Sequence, residues 1–293
     1  GRPVRRGELL SRDRLLADER RRVAAALHGG LRVAIGYPGA YHLAMSSLAY
    51  QWLVELTARQ PDVAVERFVA DEGLRGRTLE GGGGVGDRDI VAFTWSFEPE
   101  AVEVLRCLDS AGIPRLRCER GPRHPLVVVG GSAASLNPLP LSRVADVFCL
   151  GAAERMWPRL LSHVRDSGGR EELLHTLAGE DGHLVPALHL DGEERPLRRM
   201  RRLECRRLER TRAEDLPASH IVTPHTEYAD LALLELSRGC PESCRFCWIT
   251  HAAGRFSPYP LEAIRARIDE LAELAPRIGL VAAAVGDHPH MAD

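Results

Sequence analysis

Three cysteines stand close together in the last quarter of the chain. Cys240, Cys244 and Cys247 have the spacing C-x3-C-x2-C. Thiolates are strong ligands for zinc and for iron–sulfur clusters, and a loop this short can wrap one compact metal group. Three protein ligands would leave one iron of a four-iron cluster open, and an open coordination position distinguishes catalytic metal sites from structural ones. The motif therefore predicts a metal centre and raises the question of whether that centre is catalytic.

A structural zinc site is the main alternative. His251 follows Cys247 after three residues, so the three cysteines and this histidine could form a tetrahedral Cys3His site. Closed sites of this kind usually staple small, loop-rich units, whereas this loop joins a predicted strand to a predicted helix. Under this alternative, the chain is a zinc-stapled module that binds RNA through an arginine-rich segment.

The stretches on either side of the loop predict a βαβ unit. "LALLELSRGC" is typical of a buried strand, and the helix after the loop carries apolar residues on one face. Pro260 lies near the first turn of this helix and Pro276 ends it. "GLVAAAVGDHP" is the second strand, small and apolar as strands inside a parallel barrel tend to be. A barrel needs several more such units, so we expect the sequence to end inside this domain.

The residues before the loop predict an α/β domain. From Leu31 to about Val164, apolar strands alternate with amphipathic helices, which is typical of a doubly wound parallel sheet. The five expected strands lie in "LRVAIGYPG", "VAVERFVA", "DIVAFTWSF", "PLVVVGGSA" and "DVFCLGAAE". Ligands bind such sheets outside the carboxyl ends of the strands. Small residues at those ends, at Ser96 and at Gly130-Gly131-Ser132, leave room for a bulky ligand, although glycines also end strands in tight turns.

These patterns divide the chain into four parts. Residues 1–30 are an arginine-rich helical segment, 31–165 the doubly wound domain, 166–229 a connector, and 230–293 the start of the second domain. The connector contains "EERPLRRMRRLECRRLERTR", which holds nine arginines. This stretch lacks interleaved aromatic residues and is flanked by acids, so a solvated surface is favoured over an RNA-binding patch.

The bulk composition argues against several classes of protein. An apolar content of 44% and a charged content of 27% argue against disorder, and a net charge of -2 gives no general attraction to nucleic acid or membrane. No apolar run approaches the length of a membrane helix, and the start of the chain lacks the apolar stretch of a secretory signal. The seven cysteines are an odd number. We therefore expect a cytoplasmic protein with reduced thiols.

Residues 235–256, "ELSRGCPESCRFCWITHAAGRF", resemble the signature of the radical S-adenosylmethionine (SAM) superfamily. With "YPGAYHLAMSSLAYQ", "DIVAFTWSFE" and "PLVVVGGSAASLNP" before it, the chain is similar to an uncharacterised radical SAM family with an N-terminal cobalamin-binding-type domain. The similarity spans about residue 31 to the end. It implies an α/β protein in which a Rossmann-like parallel sheet precedes the start of a radical SAM partial (β/α) barrel.

The resemblance also implies roles for the loop residues. The three cysteines would hold a [4Fe-4S] cluster whose free iron binds the amino and carboxylate groups of SAM, which is then cleaved reductively. Backbone near Phe246 would meet the adenine, and Gly286 and Asp287 occupy the place of a glycine-rich segment that binds the SAM amino group. His288 and His290 follow that segment in an exposed loop. An electron donor such as flavodoxin or ferredoxin would be the partner, and the substrate and the reaction type stay open.

Cobalamin is implied by the similarity of the first domain. Ser96, Gly130, Gly131 and Ser132 match residues that line the nucleotide tail of cobalamin in related domains. Where such domains carry D-x-H-x-x-G, this chain has Ala40, His42 and Met45, so His42 is the candidate ligand for cobalt. The open alternatives are cobalamin bound without a protein ligand and a radical SAM enzyme whose first domain no longer binds cobalamin.

Overall fold

The computed structural model describes residues 10–197, 210–242, 244–249 and 254–291. The chain divides into two compact units. One, called here the sheet unit, is made of Ala25–Ala40 and Leu56–Arg206. The other, called the cysteine unit, is made of Gly1–Ala24, Tyr41–Glu55 and Arg207–Asp293. The limits of the four predicted parts stay predictions.

Helices and strands alternate through most of the described chain. The strands are β1 (Arg20–Arg21), β2 (Leu31–Tyr37), β3 (Val63–Val69), β4 (Ile90–Thr94), β5 (Leu126–Gly130), β6 (Val147–Cys149), β7 (His183–Leu184), β8 (Ile221–Val222), β9 (Leu231–Glu235), β10 (Ser237–Arg238), β11 (Ser257–Pro258) and β12 (Arg277–Val281). The helices are α1 (Arg12–Ala17), α2 (Tyr41–Ser46), α3 (Leu48–Ala58), α4 (Ala101–Ser110), α5 (Ser132–Leu136), α6 (Ala153–Asp166), α7 (Arg170–Ala178), α8 (Pro186–His189) and α9 (Leu261–Leu274).

The sheet unit contains a six-stranded sheet in the order β3-β2-β4-β5-β6-β7. The first five strands are parallel and are the five that the sequence predicts, while β7 is antiparallel to β6. The α/β class is thereby confirmed. The chain runs outward from β2 to both sides, so the strand order reverses between β2 and β4, which is where ligands bind in such sheets.

The sixth strand lies in a segment that the sequence assigns to the connector. Residues 170–189 hold α7, β7 and α8, and β7 is only two residues long. Strands are recognised in a sequence by alternation over at least four residues, so periodicity cannot reveal a strand of this length.

Aliphatic and aromatic residues of the parallel strands form the core of the sheet unit. Val91 and Phe93 of β4 and Val127 of β5 are at most 1% exposed and belong to one apolar cluster with Val104 and Leu108 of α4. Burial of each such side chain stabilises a fold by about 1.5 to 3 kcal/mol. This core holds the ends of β4 and β5 at one edge of the sheet.

The cysteine unit contains the predicted βαβ unit. β9 and β12 are parallel, with Leu231 opposite Arg277 and Glu235 opposite Val281, and α9 connects them. Ile264 and Leu271 of α9 pack with Leu234 of β9 in a separate core. The helix has the predicted bounds, whereas β12 begins two residues earlier than expected and already ends at Val281.

The outer edge of β12 is open within the described residues. Leu280 is 40% exposed and Val281 36% exposed, because β12 pairs there with β9 alone. A continuing barrel would cover these side chains, and that continuation stays a prediction. In the part of the chain described by the structure, no helix has the length and apolar character needed to cross a membrane.

Candidate functional site

A short antiparallel ladder closes the base of the cysteine loop, which comprises residues 239–256. Ser237 of β10 lies opposite Pro258 of β11, and Arg238 lies opposite Ser257. These four residues and Thr211 are called here the neck. The neck brings the two ends of the loop together directly after β9, so the loop leaves the sheet at the carboxyl end of that strand.

Gly239 makes the tight approach at the neck possible. Its φ is +70°, a left-handed conformation in which glycine carries little penalty. A Cβ at this position would lie 2.6 Å from the carbonyl oxygen of Arg255 and 2.8 Å from that of Gly254. The two sides of the loop can therefore approach this closely only because residue 239 has no side chain.

Buried polar contacts fix the neck from below. The Thr211 hydroxyl donates to the carbonyl of Pro258 at 2.6 Å, and the Thr211 N–H donates to the Ser257 hydroxyl at 3.0 Å. Tyr259 is 1% exposed, and its hydroxyl donates to the carbonyl of Asp215 at 3.0 Å. Thr211 lies within the arginine-rich stretch, where sequence patterns alone give no sign of this role.

The thiols above the neck are accessible. Cys244 is exposed, Cys240 and Cys247 are half-buried, and all three are free of disulfides. The Cys247 N–H donates to the carbonyl of Cys244 at 3.1 Å, which forms a local turn. Phe246, in that turn, is 92% exposed.

The loop has the donor set of an iron–sulfur cluster, but its cysteines are not gathered into a metal site in the described part of the chain. Among the described residues, no three cysteine, histidine, aspartate or glutamate side chains stand close enough to hold a metal ion. Three reduced thiols on one short, accessible loop fit a cubane cluster chemically. His251, on which the zinc alternative depends, lies outside the described residues.

A second segment emerges at the same edge as the cysteine loop. β12 is parallel to β9, so the residues after β12 leave the sheet on the same side as those after β9. Gly286 and Asp287 lie there in a short 3-10 turn, Val285–Asp287, and both are exposed. No atom lies within 4 Å of the position that a Cβ of Gly286 would take. The structure thus brings the two predicted SAM-binding segments to one edge.

His288 differs from the expectation of an exposed loop histidine. It is 6% exposed, while His290 is exposed. Burial lowers the pKa of His288, and electrostatic repulsion from the nearby His290 lowers it further. A hydrogen bond with the backbone of Tyr259 raises this pKa by a smaller amount. The His288 ring is therefore neutral at pH 7, and a charge-based role for it is disfavoured.

The predicted strand-end residues of the sheet unit lie together. The Ser132 hydroxyl donates to the carbonyl of Ser96 at 3.0 Å, and the Trp95 N–H donates to the carbonyl of Gly130 at 2.7 Å. Gly131 has φ of +110°, and a Cβ there would collide with the carbonyl of Trp95. These contacts form a small-residue edge at the ends of β4 and β5, in which Gly131 is exposed and Ser96, Gly130 and Ser132 are partly exposed.

Tyr37 and Glu100 complete this edge, and neither was predicted as a site residue. The Glu100 carboxylate accepts the N–H groups of Ser96 at 2.9 Å and Phe97 at 3.0 Å. Burial, and to a lesser degree the Glu100 carboxylate, raises the pKa of Tyr37 to about 12. Phe97 precedes the helical turn Glu98–Glu100, and a glutamate three residues after such a position is typical of a capping box. The sequence therefore contained a signal for the role of Glu100.

The predicted cobalt ligand, His42, belongs to α2, which begins directly after the turn that follows β2. Its Nε2 is 3.1 Å from a carboxylate oxygen of Glu227, and both side chains are about half exposed. The imidazole is therefore already engaged by a carboxylate.

A cavity of about 940 Å³ lies near the amino ends of β5 and β6 in the sheet unit. Three arginines line it, but each has a partner: Arg120 and Arg170 share Asp146 at 3.1 and 2.6 Å, and Arg117 meets Glu194 at 3.4 Å. These contacts tie loops to the sheet. We therefore interpret the three arginines of this cavity as structural residues.

Comparison with known proteins finds a family model that matches part of this chain. Residues 49–186 match the family model described as radical SAM proteins, N-terminal. The resemblance to radical SAM proteins predicted from the sequence is thereby confirmed.

Two relatives extend the likeness beyond that region. An uncharacterized protein of Methanocaldococcus jannaschii is 22% identical over 271 residues, which cover 89% of this chain and 51% of that protein. The radical SAM methyltransferase TsrM from Kitasatospora setae, solved with tryptophan substrate and the SAM analogue aza-SAM, matches with a TM-score of 0.54 and 14% identity. That match covers 89% of this chain and 49% of TsrM. At this identity the likeness to TsrM concerns the fold, and the chain spans about half the length of both relatives.

Proposed function

We propose that this chain is part of a radical SAM enzyme, with Cys240, Cys244 and Cys247 as the ligands of a [4Fe-4S] cluster. One observation carries the proposal. Three free thiols lie on a loop anchored at the carboxyl end of a βαβ strand, in a chain whose residues 49–186 match the family model described as radical SAM proteins, N-terminal. When bound, the cluster would supply the electron that cleaves SAM reductively.

The edge that carries the cysteine loop would also bind SAM. Phe246 projects from the loop, and Gly286 and Asp287 lie on the segment that leaves the sheet at the same edge. The open space beside Gly286 lets a ligand approach the backbone. An electron donor such as flavodoxin or ferredoxin would reach the cluster through the exposed loop.

The strand-end edge of the sheet unit is the proposed cobalamin site. Ser96, Gly130, Gly131 and Ser132 expose backbone beside the point where the strand order reverses. Because His42 is paired with Glu227, we propose binding without a protein ligand to cobalt. The reaction would then be a group transfer, of which methyl transfer by TsrM is one example.

Metal analysis of the reconstituted chain tests the cluster. Anaerobic reconstitution with iron and sulfide should give about four irons per chain, as a cubane requires. Cys244→Ser should lose almost all of this iron. Cys118→Ser is the matched control, because Cys118 is also exposed but lies outside the loop. Iron-free protein that holds one zinc per chain and unfolds on its removal would instead support the Cys3His alternative.

Titration with hydroxocobalamin, followed by absorbance, tests the second cofactor. Saturable binding at one equivalent is expected for the wild type, and His42→Ala should bind equally well. An absence of saturable binding would leave a radical SAM enzyme whose first domain does not take cobalamin. Loss of binding in His42→Ala alone would restore the histidine as the cobalt ligand.

A further inference from the structure

A buried serine lies at the foot of the cysteine loop. Ser237 of β10 is 2% exposed and stands three residues before Cys240. Its backbone lies opposite Pro258, so it belongs to the neck that carries both ends of the loop. The fold therefore fixes this serine at the point where the loop begins.

The Ser237 hydroxyl has no hydrogen-bond partner within the described ranges. Its oxygen is buried, and no donor or acceptor of those residues bonds to it. A serine hydroxyl can donate one hydrogen bond and accept two. A buried polar group without a partner destabilises a fold, and such groups are rare in native proteins. The unmatched hydroxyl therefore indicates that its partner is a group other than these residues.

A second buried serine of the cysteine unit shows what a satisfied hydroxyl looks like. Ser219 is 1% exposed, and its hydroxyl accepts the N–H of Leu233 in β9 at 2.8 Å. Within the neck itself, the Ser257 hydroxyl accepts the N–H of Thr211 at 3.0 Å. Ser237 resembles Ser219 in its burial, but its hydroxyl makes no bond that supports the described fold.

The side chain of Ser237 faces away from the core that α9 covers. Successive residues of an extended chain point to opposite faces. Leu236 and Tyr259 belong to the apolar core with α9, whereas their neighbours Ser237 and Pro258 do not. The hydroxyl therefore lies on the face of the sheet that α9 leaves uncovered, at the start of the segment that carries the thiols.

We propose that the Ser237 hydroxyl donates a hydrogen bond to a sulfur of the iron–sulfur cluster and so raises the reduction potential of that cluster. This inference rests on the proposed function, since it takes a [4Fe-4S] cluster to be the group that the three cysteines hold. Hydrogen bonds to the sulfurs are among the features that set the potential of such clusters. One-electron reduction adds a negative charge to the acceptor, so the bond stabilises the reduced cluster more than the oxidised one. The hydroxyl keeps its proton in both states.

Potentiometric titration of the anaerobically reconstituted 293-residue chain tests the inference. Ser237→Ala removes the hydroxyl and should keep about four irons per chain, because the thiolates are unchanged. Its midpoint potential, followed by electron paramagnetic resonance without SAM, should be lower than that of the wild type. A three- to tenfold loss in the stability of the reduced cluster corresponds to a fall of about 30 to 60 mV for a one-electron couple. Ser237→Thr keeps the hydroxyl and should recover most of the wild-type potential.

Ser219→Ala is the matched control, because it removes an equally buried hydroxyl that the fold uses. It should lower the free energy of unfolding and leave the midpoint potential unchanged. Ser237→Ala should show the reverse behaviour. Its cluster-free form should unfold at no lower urea concentration than the wild type, since the hydroxyl that it loses is unpaired there. A purely structural role for Ser237 would instead lower stability and leave the potential unchanged.

A second reconstitution identifies the sulfur that accepts the bond. Selenide in place of sulfide replaces the bridging atoms of the cluster and leaves the cysteine sulfurs unchanged. If selenide alters the difference in potential between the wild type and Ser237→Ala, the acceptor is a bridging atom. If the difference stays the same, the acceptor is a cysteine thiolate.

Equal midpoint potentials of the wild type and Ser237→Ala, at equal iron content, would overturn the inference and leave the proposed function standing. A difference that arises only after SAM is added would also overturn it, because the acceptor would then belong to SAM. A wild-type chain that assembles no cluster would overturn both the inference and the proposed function.

Discussion

The two candidate edges of this protein differ in how far the fold has completed them. At the strand-end edge of the sheet unit, Ser132 bonds to Ser96 and the Glu100 carboxylate binds two backbone N–H groups, so the loops are held by the protein itself. At the edge of the cysteine unit only the neck is fixed. Above it, the thiols and Phe246 are accessible and the cysteines are not gathered into a metal site within the described residues.

This difference indicates how much each ligand would contribute to the final shape of the edge that binds it. A surface whose polar groups are already paired can receive a ligand with little rearrangement, and its geometry is set by the core beneath it. A loop whose metal ligands are apart gains its final shape from the metal, because binding energy is then spent on ordering the chain. Substitutions at the first edge should therefore act on folding, and those at the second on cofactor retention.

The largest effect is expected at Gly131. Gly131→Ala places a Cβ against the carbonyl of Trp95 at a φ of +110°, and we expect a loss of about 3 kcal/mol in the free energy of unfolding. Urea denaturation followed by tryptophan fluorescence measures it. Gly286→Ala is the matched control, because it meets no atom within 4 Å and should cost less than about 1 kcal/mol. Similar losses for both variants would contradict the contrast between the edges.

A more local effect is expected at Gly239. Gly239→Ala forces the two sides of the neck apart, because its Cβ would lie 2.6 Å from the carbonyl oxygen of Arg255. We expect the reconstituted protein to retain roughly half of its iron or less, since ligand orientation controls metal affinity. The unfolding of the sheet unit should be unchanged. Full iron retention by this variant would show that the neck does not position the thiols.

A smaller effect is expected at Phe246. The side chain is 92% exposed, so Phe246→Ala should change the free energy of unfolding by less than about 0.5 kcal/mol. The ring would flank the backbone that meets the adenine of SAM, so its removal should weaken SAM binding by about five- to tenfold, as measured by equilibrium dialysis at equal iron content. Trp248→Ala, the neighbouring exposed aromatic in the loop, serves as the comparison. A Phe246 variant that binds SAM like the wild type would remove this residue from the site.

The smallest effect is expected from pH in the sheet unit. Burial lowers the pKa of His189, and the charged ring would lose the bond that its Nδ1 accepts. The unfolded chain takes up this proton near the ordinary value of 6.5, and the folded chain does so only at lower pH. Stability should therefore fall as the pH drops below about 6.5. The free energy of unfolding should decline less steeply between pH 7.5 and 5.5 in His189→Gln than in the wild type. If the two proteins show the same dependence on pH, His189 is not the source of the decline.

The sequence predicted the elements that have clear periodicity. The five parallel strands and α9 were found because long apolar runs and a one-sided apolar face are direct consequences of burial. The two-residue strands of the neck and β7 were missed, because their pairing depends on contacts distant in sequence. The cysteines could be found from spacing alone, whereas the contacts of Thr211 and the pairing of Tyr37 with Glu100 join residues that no local pattern connects.

Histidines were the hardest residues to assign. A single histidine in a sequence carries no sign of its burial, so His288 was expected in an exposed loop and His42 beside a cofactor. The structure buries the first and pairs the second with Glu227. Both outcomes are decided by packing around the residue and not by its neighbours in the chain.

Electron paramagnetic resonance of the reduced, reconstituted chain tests the central claim most directly. If Cys240, Cys244 and Cys247 hold a cubane with one iron open, the reduced cluster should give a [4Fe-4S]+ signal whose g-values change when SAM is added. A cluster signal that SAM leaves unchanged, or a protein that binds zinc and no iron, would contradict the account.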